Sequence, residues 1–534
     1  MGPEEHSRDF FRGALILTVA ALITKILSAI YRVPFQNIVG DIGFYIYQQV
    51  YPFYGVALVL ATTGFPVVIS KLYAEQVVMN GKQGVRSLFV VSAIFLMAIG
   101  LSGFSALYWG SDWLARHMHD PDLAILLKVI SVVFLIFPVV SLLRGYFQGM
   151  GNMIPTAVSQ VGEQLIRVVT IFLAAILLTT KGYSLYMVGS GAALGSVTGG
   201  IAAMLILIIS YWIWGRTSLG IGKIDFKESG KIAKALFIQG FAVCISSLVL
   251  IFMQLADSLN LYSILASTGL SSESAKELKG IYDRGQPLIQ IGTVVATSMS
   301  LSLVPIITSE KLKEKKAIMH EKIRLALQIA LFVGVGASVG LWSIIQPTNR
   351  MLFENSDGSD VLSVLSLLIL FTSLIITTTA ILQGLGMILF PACVILFGFG
   401  VKYGLNIVLV PSFGTMGAAI ASCVALSMIM VVLLYKLRSY LKTAIINIRF
   451  IIVLCTAALA MAMILKAYLY LTGYIPLVEH HRLIAGIQAL SAVVIGGIIY
   501  VGVVLRGKTF NEEELAMLPF GSKLLFFLPK RNRR

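Results

Sequence analysis

The amino-acid sequence predicts an all-α, polytopic membrane protein with about fourteen transmembrane helices. Charge is the first observation behind this. Asp, Glu, Lys and Arg make up 12% of the 534 residues, whereas a soluble domain carries about 25%, so there is too little charge to cover a water-facing surface. Hydropathy is the second. The chain is 57% hydrophobic with a mean hydropathy of +0.90, and apolar runs near the ~20 residues of a bilayer crossing recur from end to end. The third is that the cations cluster between the apolar runs, where they orient helices.

In order, the spans are expected at 12–33, 45–70, 87–109, 123–146, 154–180, 183–214, 232–260, 283–310, 321–346, 360–384, 386–410, 413–435, 448–473 and 483–505. The mixed-charge start, MGPEEHSRDFFRG, leads into a first helix that is retained rather than cleaved as a signal. An even count puts both termini on one face. That face, with the even-to-odd connections and adjoining helix ends, holds 28 of the 41 Lys and Arg residues; the opposite face holds 6 and the spans hold 7. The asymmetry places both termini in the cytoplasm. The tail GSKLLFFLPKRNRR reads as a cytoplasmic stop signal or as an interfacial segment on anionic lipid, and the two are compatible.

The net charge of +16 therefore belongs to membrane orientation and not to nucleic acid. Cys244, Cys393, Cys423 and Cys455 are far apart in apolar runs, without metal-ligand spacing, and are expected as small core residues. No metal site, cofactor or enzyme motif is expected: there is no P-loop, HExxH or GxSxG. GSGAALGSVTGG lies inside a span, with Gly191, Gly195 and Gly199 at every fourth residue, which is a helix-packing face.

The chain repeats. GYFQGMGNMIP at 145–155 resembles AILQGLGMILFP at 380–391, GFPVVISKLYAE at 64–75 resembles LVPIITSEKLKE at 303–314, and GAALGS at 191–196 resembles GAAIAS at 417–422. Six spans per copy keep both copies in one orientation, a known transporter plan. The expected organisation is an N-terminal six-helix lobe over 1–220, a C-terminal one over 221–445, two extra helices over 446–506 and a basic tail over 507–534.

Ionised side chains in a bilayer cost several kcal/mol unless they face a wet cavity or a partner, so they mark function. Lys25 and Arg32, seven apart, project on one helix face with no acid beside them. Arg32 lies near enough to the outer end to snorkel; Lys25, mid-span, is expected to line a cavity. Glu163 and Arg167 are i, i+4 in the favourable order, so they form either a self-neutralising pair or part of a wet polar face with Gln160 and Gln164. Asp283 and Arg284 open a helix rich in small polar residues (Gln286, Gln290, Thr293, Thr297, Ser298, Ser300); they line a lumen or form an ordinary outer-end charge pair.

NIVGDIGFYIYQQVYPFY, GFPVVISKLYAE, SLLRGYFQGMGNMIPTAVSQVGEQLIRVV and YDRGQPL resemble the polysaccharide-transporter branch of the MOP superfamily, near its stage V sporulation protein B and MurJ-type lipid II flippase groups. The resemblance implies alternating-access translocation of undecaprenyl-diphosphate-linked sugars across the bacterial cytoplasmic membrane. It also implies a cationic cavity for the head group and a tail groove on the last two helices. Carried onto this chain, the cavity cations are Lys25, Arg32 and Arg284, with Asp283, Glu163, Arg167, Gln164 and Gln148 supporting them. Lys25 stands where the family has arginine, a point charge in place of a fork. Some relatives resemble each other in a sodium site; here the corresponding residues are Asp257, Lys402 and Asn406, and an ammonium would repel Na⁺. The expected arrangement is a Lys402–Asp257 contact in place of the ion, against the alternative that Lys402 snorkels outward. The expected partners are a lipid-linked sugar diphosphate and the bilayer, with the protein a monomer. Two other classes compete: a multidrug or cation antiporter of the same superfamily, which would need acids facing its cavity, and a membrane glycosyltransferase or ligase, which would need a large outer loop.

Overall fold

The structure, a computed structural model, describes residues 3–215, 226–294, 316–442, 447–473 and 482–507. The expectations for Thr297, Ser298 and Ser300, for the repeat segment 303–314 and for the tail beyond residue 507 fall outside these residues. Among the described residues every regular element is helical. Eleven helical stretches are long and apolar enough to cross a membrane, and two of them, Ile16–Met79 and Leu389–Leu441, are each broken by a glycine. With those breaks and the helical residues 272–294, the described chain is consistent with fourteen spans.

Several expected connections are helix instead. Residues 34–44 and 71–86 run helically, and the chain turns at Gly40 (φ 70°, ψ −177°) and Gly81 (φ 56°, ψ −140°). Gly414 (φ 57°, ψ −139°) does the same in the second half. A side chain at such positive φ is strained, whereas glycine reaches it freely, so one residue replaces a loop.

The local geometry recurs. Ala124–Ser131 and Val133–Gly149 are separated by one residue, as are Ser359–Ser366 and Leu368–Gly384. Both longer helices end at the related QG motifs in the same turn, with Gly151 N–H donating to Gln148 O (3.0 Å) and Gly386 N–H to Gln383 O (2.9 Å). Gly151 and Gly386 both have positive φ, the usual way to satisfy the last carbonyls of a helix.

The chain forms two compact units, residues 1–283 with 387–418 and residues 284–386 with 419–534. In the first, Leu185–Trp214 packs along Ile154–Thr180 through its glycines. A Cβ at Gly195 would meet Arg167 O at 2.9 Å, and one at Gly199 would meet Glu163 O at 2.7 Å, so the glycine face seats the backbone that carries both charged residues. The same unit has two π-helical turns, Leu60–Gly64 and Leu236–Gly240, followed by Phe65 and Phe241, whose rings meet edge to face at 5.7 Å. The second unit builds its core from Lys316–Ser343, Ile448–Gly473 and Arg482–Arg506, around Leu325, Ile329, Leu454, Met461 and Tyr500. Tyr500 stacks on Phe332 and donates to its carbonyl at 2.7 Å.

Candidate functional site: a tyrosine cage around unpaired guanidiniums

The helix Arg32–Val59 presents Tyr47, Tyr51 and Tyr54 at i, i+4 and i+7, one stripe of phenols. Tyr31, one residue before it, hydrogen bonds to Tyr47 between hydroxyls at 2.8 Å. Into this wall reaches Arg167, fully buried, from Ile154–Thr180. It donates to the hydroxyls of Tyr31 (2.9 Å), Tyr47 (3.0 Å) and Tyr54 (3.3 Å) and to Gln164 Oε1 (3.4 Å), and lies 4.3 Å from the Tyr54 ring centre. Arg32, also buried, lies 4.3 Å from the Tyr51 ring centre, and Arg167 lies 5.6 Å from the same centre. One phenol therefore stands against both guanidiniums. Neither has a carboxylate at ion-pair distance among the described residues, and the Nε of each is buried without a hydrogen-bond partner.

Burying an unpaired ion costs several kcal/mol after relaxation. Neutral hydroxyl acceptors and cation–π contacts, about 2 kcal/mol each when desolvated, offset only part of this. Two like charges around one ring add repulsion that the low dielectric amplifies. The arrangement is complementary to an anion. Lys25, half-buried one turn-pair below Arg32, has no charged or hydrogen-bonded partner among the described residues. Gln148 is half-buried at a helix end and makes no described side-chain hydrogen bond.

Of the two readings of Glu163 and Arg167, the self-neutralising pair is not formed. Glu163 binds Arg144 instead, at 2.9 Å. The i, i+4 reading compared only residues on one helix and could not see a cation arriving from Val133–Gly149. Arg144 was hidden because it sits at a span end and falls among the cytoplasmic-side cations. The tyrosines carried a visible signal, regular spacing of hydroxyl-bearing rings in an apolar run, which charge-based reading passes over.

The Asp283–Arg284 charge pair is replaced in the same way. Asp283 takes Lys279 (2.6 and 2.7 Å), one turn earlier on its own helix. Arg284, in the second unit, is buried, donates to Asn355 Oδ1 (2.6 Å) and Asn349 Oδ1 (3.4 Å), and lies 5.2 Å from the Phe353 ring centre. Asn349 is itself fixed by donating to Asp357 O and Ser359 Oγ.

A second polar cluster lies in the first unit. Lys402 Nζ is 2.7 Å from Asp257 Oδ1 and donates to Ala418 O at 2.6 Å, all buried. Asn406 donates to Asp257 Oδ1 (2.9 Å) and Asn260 Oδ1 (2.8 Å), and Tyr282 donates to Asp257 Oδ2 (2.9 Å). The structure thus brings Lys402 and Asp257 together, and Lys402 does not snorkel.

A family model for polysaccharide biosynthesis protein matches residues 10–310. An uncharacterized membrane protein of Bacillus subtilis (strain 168), YabM, is 44% identical over 98% of this chain and 97% of its own length. The lipid II flippase MurJ of the same organism is 24% identical over 92% of this chain and 94% of its own. In fold, the chain is similar to a solved MurJ in an inward closed conformation, with a TM-score of 0.65 and 15% identity over 91% of this chain and 98% of that one. The chain is therefore a multi-pass membrane transporter, not an enzyme, and it belongs to the polysaccharide biosynthesis protein family.

Proposed function

We propose that the protein flips an undecaprenyl-diphosphate-linked sugar, a lipid II-like or other envelope precursor, across the bacterial cytoplasmic membrane by alternating access, with both termini cytoplasmic. The observation that carries this reading is the pair of buried guanidiniums, Arg32 and Arg167, gathered around Tyr51 with no carboxylate at ion-pair distance among the described residues. A diphosphate brings about two negative charges that cannot cross hydrocarbon bare. Arg32 and Arg167 offer forks that match phosphate oxygens, and the phenols offer hydroxyls to the anion and ring faces to a sugar. Lys25 adds a mobile point charge, and Arg284, in the second unit, is assigned to substrate binding on the resemblance. Gln164 supports the cage, while Glu163, held by Arg144, and Asp283 and Gln148 are assigned a structural part. The polyprenyl tail stays in lipid.

An antiporter for cationic drugs is disfavoured by the same chemistry. Glu163 and Asp257 are each held by a buried cation, Arg144 and Lys402, and so are not available to a cationic substrate. Asp257, Lys402 and Asn406 are assigned to coupling. The Lys402 ammonium supplies, as a tethered charge, the cation that Asp257 and Ala418 O would otherwise attract, so no sodium ion takes part and membrane potential supplies the drive. The test is reconstitution into vesicles with a fluorescent undecaprenyl-diphosphate sugar. Accessibility of the sugar to an external quencher should rise on addition of protein, and a drug-efflux activity without lipid movement would overturn the proposal.

A further inference from the structure

We propose that Arg144 is a positioning residue for the anion site: by holding Glu163, it prevents Glu163 from neutralising Arg167. The proposal rests on the reading of Arg167 as an anion ligand. Arg144 is fully buried and its fork is fixed in three directions. Nη2 donates to Glu163 Oε2 (2.9 Å), Nε to Ser159 Oγ (3.0 Å) and Nη1 to Ala61 O (3.2 Å). Ala61 lies in the π-helical turn Leu60–Gly64, where the donor five residues on would be Pro66, which has no N–H. The open carbonyl is an anchor that aims Arg144 at Glu163.

Among the described residues, a second cation, Arg167, stands close to Glu163. Glu163 lies four residues before Arg167, in the order that favours pairing. The two already share a contact: the Tyr54 hydroxyl donates to Glu163 Oε1 at 3.4 Å and accepts from Arg167 Nη1 at 3.3 Å. A single hydroxyl therefore separates the carboxylate from the guanidinium. A buried carboxylate that loses its cation must find another or take up a proton, and Arg167 is the cation on the other side of the Tyr54 hydroxyl. Arg144 and Glu163 cancel each other and leave the charge of Arg167 uncommitted. The sequence pairs the wrong arginine with Glu163, and the fold corrects it.

The experiment measures binding of farnesyl diphosphate to the full-length protein in lipid nanodiscs. Arg144→Met should weaken binding by about tenfold or more, because Glu163 moves to Arg167. Arg144→Met with Glu163→Gln should restore it to within about threefold of the starting protein, since no carboxylate is left to compete. Arg144→Lys, which keeps the charge and reports on folding, should bind as the unaltered protein does. Binding by Arg144→Met equal to that of the unaltered protein overturns the proposal. So does a double variant as weak as Arg144→Met, which would make Arg144 a packing element only. Arg167→Gln is the separate control on the anion site: if it binds like the unaltered protein, the site reading fails. The proposal is then decided by a structure of the Arg144→Met variant, where Glu163 within hydrogen-bond distance of Arg167 upholds it and Glu163 elsewhere overturns it.

Discussion

Replacing Asp257 by Asn should destabilise the protein far more than a change of one oxygen to nitrogen suggests. Lys402 is fully buried, with Asp257 Oδ1 at 2.7 Å and Ala418 O at 2.6 Å. The amide of Asn preserves an acceptor for Lys402 and for Asn406, so hydrogen bonding is nearly conserved. The lost quantity is the countercharge. Breaking a buried pair by removing one partner costs ~3–5 kcal/mol, because the other charge stays buried and uncompensated. Removing the ammonium as well, with Lys402→Met, eliminates that charge. The double variant should therefore cost less than the sum of the singles by ~2 kcal/mol, within the range of coupling for contacting residues. Reversible denaturant titration in mixed micelles, followed by tryptophan fluorescence, measures all four corners of the cycle. A cost of Asp257→Asn below ~0.5 kcal/mol, the level of surface changes, or strict additivity, would show that the contact is not an ion pair in the working protein.

Other outcomes follow from the same geometry. Flipping should persist when the sodium gradient is dissipated and fall when membrane potential is collapsed; dependence on sodium would remove Lys402 from its assigned part. Lys25→Arg should transport as well as or better than the native protein, because a fork replaces a point charge, whereas Lys25→Ala should abolish transport with membrane insertion intact by protease mapping. Arg284→Ala should abolish transport in the same assay. Gly199→Leu should cost ~1–3 kcal/mol by overpacking, since even a Cβ there meets Glu163 O at 2.7 Å, and it should reduce flipping along with stability.

Much of the architecture is written in hydropathy, because a bilayer leaves only helices as single-segment spans. The glycine breaks are less legible. Gly40, Gly81 and Gly414 look like many other glycines in the chain until φ is known, and a hydropathy window ends where polarity begins even if the helix continues. The small-residue stripe at Gly191, Gly195 and Gly199 was readable because its period is that of the helix. The site was readable only as a list of buried charges. Which acid meets which base depends on neighbouring helices: Arg144 rather than Arg167 for Glu163, Lys279 rather than Arg284 for Asp283. The Lys402–Asp257 contact was reachable because the resemblance placed both residues on one site.

The most direct measurement is a structure of the protein with an undecaprenyl-diphosphate sugar bound. The account predicts phosphate oxygens within hydrogen-bond distance of both Arg32 and Arg167 beside Tyr51, with at least one of Tyr31, Tyr47 and Tyr54 turned from Arg167 toward the ligand. A head group bound elsewhere, with Arg167 still held by all three phenols, would contradict it.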